Sequence, residues 1–123
     1  MIHQINWWFY VDMVAGEDVK YLRSYLIKGD DVTDSEKQAR IFKVLSVSTR
    51  VRMIDLLKGR SLCVNALAHA LEITPAAVSQ HLRVLRDADI VIADKQGYFV
   101  HYRVNPQTLA EWNESAKQLL EMK

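Results

Sequence analysis

The 123-residue chain reads as a mainly α-helical fold carrying one small β-hairpin. Three observations predict this. Apolar residues recur at three- and four-residue spacing through most of the chain, the signature of helices with one buried face. Thr74-Pro75 marks a helix start unusually clearly, since Thr caps free N–H groups and Pro at the first helical position has none to lose. The stretch IVIADKQGYFVHYRV (90–104) holds two strand-like runs around Lys95-Gln96-Gly97, where Gly97 can take the positive φ of a tight turn.

Taken in order, residues 1–32 form an aromatic, helical extension with Gly16 as a break and Gly29-Asp30 as a stop. Ile2, Ile5, Phe9 and Met13 make one apolar stripe, and Tyr21, Leu22, Tyr25 and Leu26 a second. Thr33-Asp34-Ser35-Glu36 fits a capping box and opens a helix through about Val47, with Phe42 and Leu45 on its core side. Ser46 or Ser48 caps the next helix, in which Val51, Ile54 and Leu57 recur by three and Gly59 ends the run. Ser61-Leu62-Cys63 is short enough for a small strand. Asn105-Pro106 starts a last helix whose Leu109, Trp112, Ala116, Leu119 and Leu120 form an apolar stripe, read as a subunit interface, with packing on the chain's own core as the alternative.

Between these lies the segment with chemical content. Val64 to Glu72 reads as a short helix with Leu67 and Leu71 one turn apart, and only Ile73-Thr74 separates it from the helix opened by Pro75. In that second helix Val78, Leu82 and Leu85 fall on one side, while Ala76, Ser79, Gln80 and Arg83 fall on the other. Small residues let a backbone approach a groove closely; Gln pairs bidentately with adenine, and Arg reaches guanine or phosphate. Two helices joined by a tight turn form a helix-turn-helix, whose second helix enters the major groove of DNA. The hairpin that follows is a wing, with Lys95 at its tip and Arg103 near its base placed to touch phosphates. A solvated edge hairpin protected by Lys95 is the alternative reading of the same residues.

Charge agrees with this placement. The net charge is +1, but residues 47–104 hold eight Lys/Arg against five Asp/Glu, whereas each flank carries a net −1. The excess is modest, and tight binding calls for two copies. Half of the residues are hydrophobic, enough for a single core without disulfides. No apolar run of about 18 residues occurs and no secretory leader pattern opens the chain, so a cytoplasmic location without a membrane partner is expected.

The order of motifs resembles the ArsR/SmtB family of winged-helix transcriptional regulators. Leu45 to Val104 carries the resemblance, most specifically in Thr49-Arg50 with Arg52, in Leu62-Cys63-Val64, and in Val78-Ser79-Gln80-His81-Leu82. It implies a homodimeric repressor that holds a palindromic operator on double-stranded DNA and releases it on a signal, with two recognition helices about one DNA turn apart. By motif position Ser79, Gln80 and His81 face DNA, with Lys95 and Gly97 in the wing. The DNA-facing set is then Thr74, Ala76, Ser79, Gln80, His81, Arg83, Lys95, Gly97 and Arg103. His81 also lies near the Val78 and Leu82 side, so a partly buried structural role stands beside DNA contact. The family builds its dimer from terminal helices, which assigns Trp7, Trp8 and Phe9 with the stripe from Leu109 to Leu120 to that interface. Residues 33–104 make up the DNA-binding core, and 105–123 a dimerisation helix.

The signal is less legible. The family's best-known metal site begins Cys-Val-Cys or Cys-Val-Gly, and here the segment is Cys63-Val64-Asn65, with no other cysteine in the chain. Soft-metal sites need several thiolates or imidazoles. The family's other site uses His and acidic residues on the last helix, and residues 105–123 contain no His. No metal or other cofactor is therefore expected. Cys63 is either a redox- or effector-responsive thiol or an inert buried one. The aromatic arm either completes a dimer core or receives a small-molecule or protein effector.

Two other functional classes stand beside this reading. One is a protein-interaction module using the aromatic arm on a winged-helix scaffold. The other, an enzyme, is not expected: Asp55, His69 and His101 are scattered, and no nucleophile-base pair or phosphate-cradling Gly-rich loop occurs.

Overall fold

A computed structural model describes residues 34–122. The expected aromatic extension, the capping contribution of Thr33, and Trp7, Trp8 and Phe9 lie outside the described residues. Within them the order is α1 (Asp34–Val44), α2 (Ser48–Leu57), α3 (Val64–Leu71), α4 (Pro75–Asp87), β1 (Val91–Gln96), β2 (Phe99–Val104) and α5 (Pro106–Leu120). They form one compact unit.

The core sits where α2, α3 and α4 meet the base of the hairpin. Met53, Leu57, Leu67, Val78, Leu85 and Ile90 are essentially sealed from solvent, joined by Ile54, Leu71, Leu82, Val91 and Val104. Val78, Leu82 and Leu85 recur on one side of α4, as their spacing requires. Burying each such side chain contributes about 1.5–3 kcal/mol relative to leaving it in water.

Several local expectations are corrected. α1 ends at Val44, not near Val47, and its buried residue is Ile41; Phe42 is exposed. In α2 the inward face is Met53, Ile54 and Leu57, whereas Val51 is exposed. Neither serine caps α2: Val47 occupies that position without a side-chain bond, and the Ser46 hydroxyl donates back to the Lys43 carbonyl at 2.7 Å. The connection is held instead by Arg50, whose Nε donates to the Val44 carbonyl at 2.6 Å and whose Nη2 donates to that of Lys43 at 3.3 Å. A guanidinium on the last carbonyls of a helix also answers the negative end of its dipole.

α3 ends with Glu72 in the left-handed region at φ 56°, and its N–H bonds back to the carbonyls of Ala68 and His69. The Ile73 N–H bonds to the Ala68 carbonyl as well. These bonds close the helix and leave Glu72-Ile73-Thr74 as the whole link to α4. The Thr74 hydroxyl accepts from the Ala77 N–H at 3.1 Å, the cap expected from Thr-Pro.

β1 and β2 pair antiparallel from Val91↔Val104 to Gln96↔Phe99. The turn is the two residues Gly97-Tyr98, with Gly97 at φ 65° and no positive φ at Tyr98. This shifts the expected turn, placed at residues 95–97, by one residue. Lys95 consequently lies within β1 opposite Val100. Leu62 makes reciprocal backbone bonds with Tyr102 at 3.0 and 2.8 Å, so the expected small strand is a single bridge on the outer edge of β2. Burial along β2 follows distance from the base more than alternation: Val104 is buried, Tyr102 half-buried, and Val100 exposed.

Candidate nucleic-acid interface

α4 separates its residues by burial as its sequence requires. Beneath lie Val78, Leu82 and Leu85; above, Thr74, Ala76, Ser79, Gln80 and Arg83 are exposed. Among the described residues, no hydrogen bond or ion pair engages the side chains of Ser79, Gln80 or Arg83. Their donors and acceptors face water along the first three turns of a capped helix. Thr74 differs, because its oxygen already accepts the cap bond.

His81 stands at the border of the two faces and is half-buried. Burial first, and the charge of Arg50 second, hold its pKa below the ordinary 6.5. Of the two roles open to it, this setting supports the structural one: a neutral imidazole near the α2 start carries no charge for a phosphate.

On the wing, Lys95 and Gly97 are exposed, but the outermost residues are Tyr98, fully exposed, and Phe99, at 65%. Reading the sequence overlooked this aromatic tip. A Gly as first residue of a two-residue loop was the signal available for it, since that loop places the next residue at the apex. Arg103 lies at the base as expected. Its Nε donates to Asp94 Oδ2 at 2.7 Å, a diagonal cross-strand ion pair. Asp94 is a second residue that inspection of the sequence did not single out.

The stripe of α5 divides. Leu109 and Trp112 pack against the core, Ala116 is half-buried, and Leu119 and Leu120 are 50% and 71% exposed. α5 also packs along α1, where Gln38 Nε2 donates to the Ser115 carbonyl at 3.2 Å. Cys63 is half-buried at the N-cap position of α3, with no cap bond from its side chain. Among the described residues no cluster of three or more His, Cys, Asp or Glu converges, and no helix is long and apolar enough to cross a membrane.

Two helices joined by a tight turn, the second with a free polar face, followed by a hairpin, define a winged helix-turn-helix regulator. Residues 48–93 match the family model described as bacterial regulatory protein, arsR family. The transcriptional repressor SdpR of Bacillus subtilis is 31% identical over 71 residues, covering 58% of this chain and 79% of the repressor. The arsenic resistance transcriptional regulator ArsR1 of Pseudomonas putida is 40% identical over 73 residues, covering 58% of this chain and 56% of that protein, so the match spans little more than half its length. Among solved structures, the homodimeric winged helix-turn-helix DNA-binding domain Mb0332 of Mycobacterium bovis, described as a possible ArsR-family regulator, superimposes with a TM-score of 0.56. It is 27% identical and covers 69% of this chain and 83% of that domain. The chain belongs to the ArsR family of bacterial regulatory proteins.

Proposed function

We propose that this protein is a sequence-specific DNA-binding transcriptional repressor, acting in the cytoplasm as a homodimer on a palindromic operator and released by a small-molecule or protein effector. The observation that carries the reading is the free face of α4. Ser79, Gln80 and Arg83 stand exposed and unengaged over a sealed apolar face, in the helix that a winged helix-turn-helix inserts into the major groove. The names of relatives support the class, since SdpR is a repressor, and the Mycobacterium bovis domain is homodimeric. No described feature favours the protein-interaction alternative.

The DNA assignment divides by role. Gln80 and Arg83 read base edges, Ala76 and Ser79 permit close approach, and Lys95 with Gly97 places the wing against the backbone. His81 seats the helix. Exposed Leu119 and Leu120, at the outer end of α5, continue a stripe whose inner part is already packed, and they suit burial in a second subunit. The dimer sets the operator: two equivalent helices read an inverted repeat with half-sites about 10 base pairs apart.

The test is selection of duplexes from a random-sequence library by the intact protein. Enrichment of an inverted repeat at that spacing is expected. Recovery of no common sequence would reject specific DNA recognition.

A further inference from the structure

Asp94 lies on the wing, and its partner is one of the cations assigned to DNA contact. Its Oδ2 accepts from Arg103 Nε at 2.7 Å. The pair follows from the register: the Gly97-Tyr98 turn sets Asp94 opposite His101 and Ile92 opposite Arg103, so both charges lie on the same face of the hairpin. Both side chains are about two-fifths exposed, at 43% for Arg103 and 38% for Asp94. An ion pair so open to water is weak and exchangeable.

Arg103 also lines an open groove of about 460 Å³ between the end of α2 and the start of α5. Leu57, Val104 and Leu109 contribute apolar lining, and Lys58 and Arg60 line it as well. No carboxylate lines it; Lys58 reaches away to exposed Asp55 at 3.3 Å. Arg60 has no acidic partner among the described residues, Arg103 and Lys58 line the same groove while held by exposed, exchangeable pairs, and a guanidinium binds carboxylate and phosphate in the same fork geometry.

We infer that Arg103 binds a DNA backbone phosphate at the wing base, beside a groove that Arg60 and Lys58 also line, and that Asp94 holds the Arg103 guanidinium as an internal carboxylate until the phosphate takes its place. The inference rests on the DNA-binding reading above and adds to it a built-in competitor. Asp94 weakens DNA binding by holding the arginine the backbone requires. Because every duplex carries the same phosphates, the effect is independent of sequence.

The experiment is a double-mutant cycle with Asp94→Asn and Arg103→Gln, using a mixed-sequence duplex of about 30 base pairs as the probe and titrating at several salt concentrations. Asp94→Asn is expected to tighten binding by about threefold to tenfold. Arg103→Gln should weaken binding and reduce the salt slope by about 0.9 for each phosphate lost. In the double variant the gain from Asp94→Asn should vanish. An equal gain with and without Arg103 would mean a bulk charge effect and overturn the inference, as would weaker or unchanged binding by Asp94→Asn. Unmutated protein gives an independent reading: the Arg103 Nε–H resonance should move on adding the duplex, and a stationary signal in bound protein contradicts the displacement. Should the intact protein bind neither this duplex nor any selected one, the DNA-binding reading itself fails and this one with it.

Discussion

Replacing Arg50 with alanine is expected to destabilise the fold by about 1.5–3 kcal/mol, although the residue sits in a motif position that invites a DNA role. The magnitude follows from its contacts. The 2.6 Å bond to the Val44 carbonyl is partly buried and charge-assisted, and hydrogen bonds to charged groups contribute about 1.5–3 kcal/mol. The 3.3 Å bond to the Lys43 carbonyl is exposed and long, and that carbonyl also accepts from Ser46, so it adds little. Loss of a cation at the α1 C-terminus costs a further few tenths. For a folded unit of this size each kcal/mol is about 4–8 °C in Tm, so thermal melts at fixed protein concentration should show a drop of about 6–24 °C. Arg50→Lys should fall between, because an ammonium keeps the charge but lacks the fork that spans two carbonyls. A melting curve for Arg50→Ala within about 2 °C of the parent would refute the capping argument. Unchanged stability joined to a large loss of DNA affinity would move Arg50 into the interface.

Two further outcomes follow from burial. Leu67→Ala removes a fully enclosed side chain at the centre of the core and should cost about 2–5 kcal/mol in chemical denaturation, whereas truncating Tyr98, fully exposed at the wing tip, should change stability by less than about 0.5 kcal/mol. Because His81 has its pKa lowered on folding, by burial and then by Arg50, the unfolded chain binds more protons in the window just below 6.5. Its contribution to stability is therefore complete above pH 6.5 and lost as pH falls through that window towards the folded-state value. His81→Gln should flatten this part of the stability profile, and Arg50→Ala should raise the His81 pKa in an NMR titration; a rise in stability on acidification attributable to His81 would contradict the sign.

Much of the fold was legible because its punctuation is local. Thr74-Pro75 starts α4 and Asn105-Pro106 starts α5 through caps formed within three residues, and both appear as read, with Asn105 Oδ1 accepting from the Gln107 N–H. The inward face of α4 was equally plain, since Val78, Leu82 and Leu85 are its apolar residues at helical spacing. What failed was decided by tertiary context. Met53 and Val51 are both apolar, and only packing against α3 and α4 selects Met53 for the core of α2. The capping role of Arg50 was not legible, because its targets, two carbonyls of the preceding helix, exist only once the α1–α2 corner is formed. On the wing a one-residue error in the turn hid the Asp94–Arg103 pair, since register alone brings those residues to one face. The exposed α4 face was readable from sequence; the competing carboxylate was not.

Base reading by α4 is measured by the affinity of Gln80→Ala and Arg83→Ala for the duplex selected by the intact protein and for a scrambled duplex of equal length. Each base contact is worth about 1–3 kcal/mol of discrimination. Both variants should melt like the parent, lose about tenfold or more on the selected duplex, and bind the scrambled one with little change. Full retention of preference for the selected sequence in both variants would contradict base reading by α4.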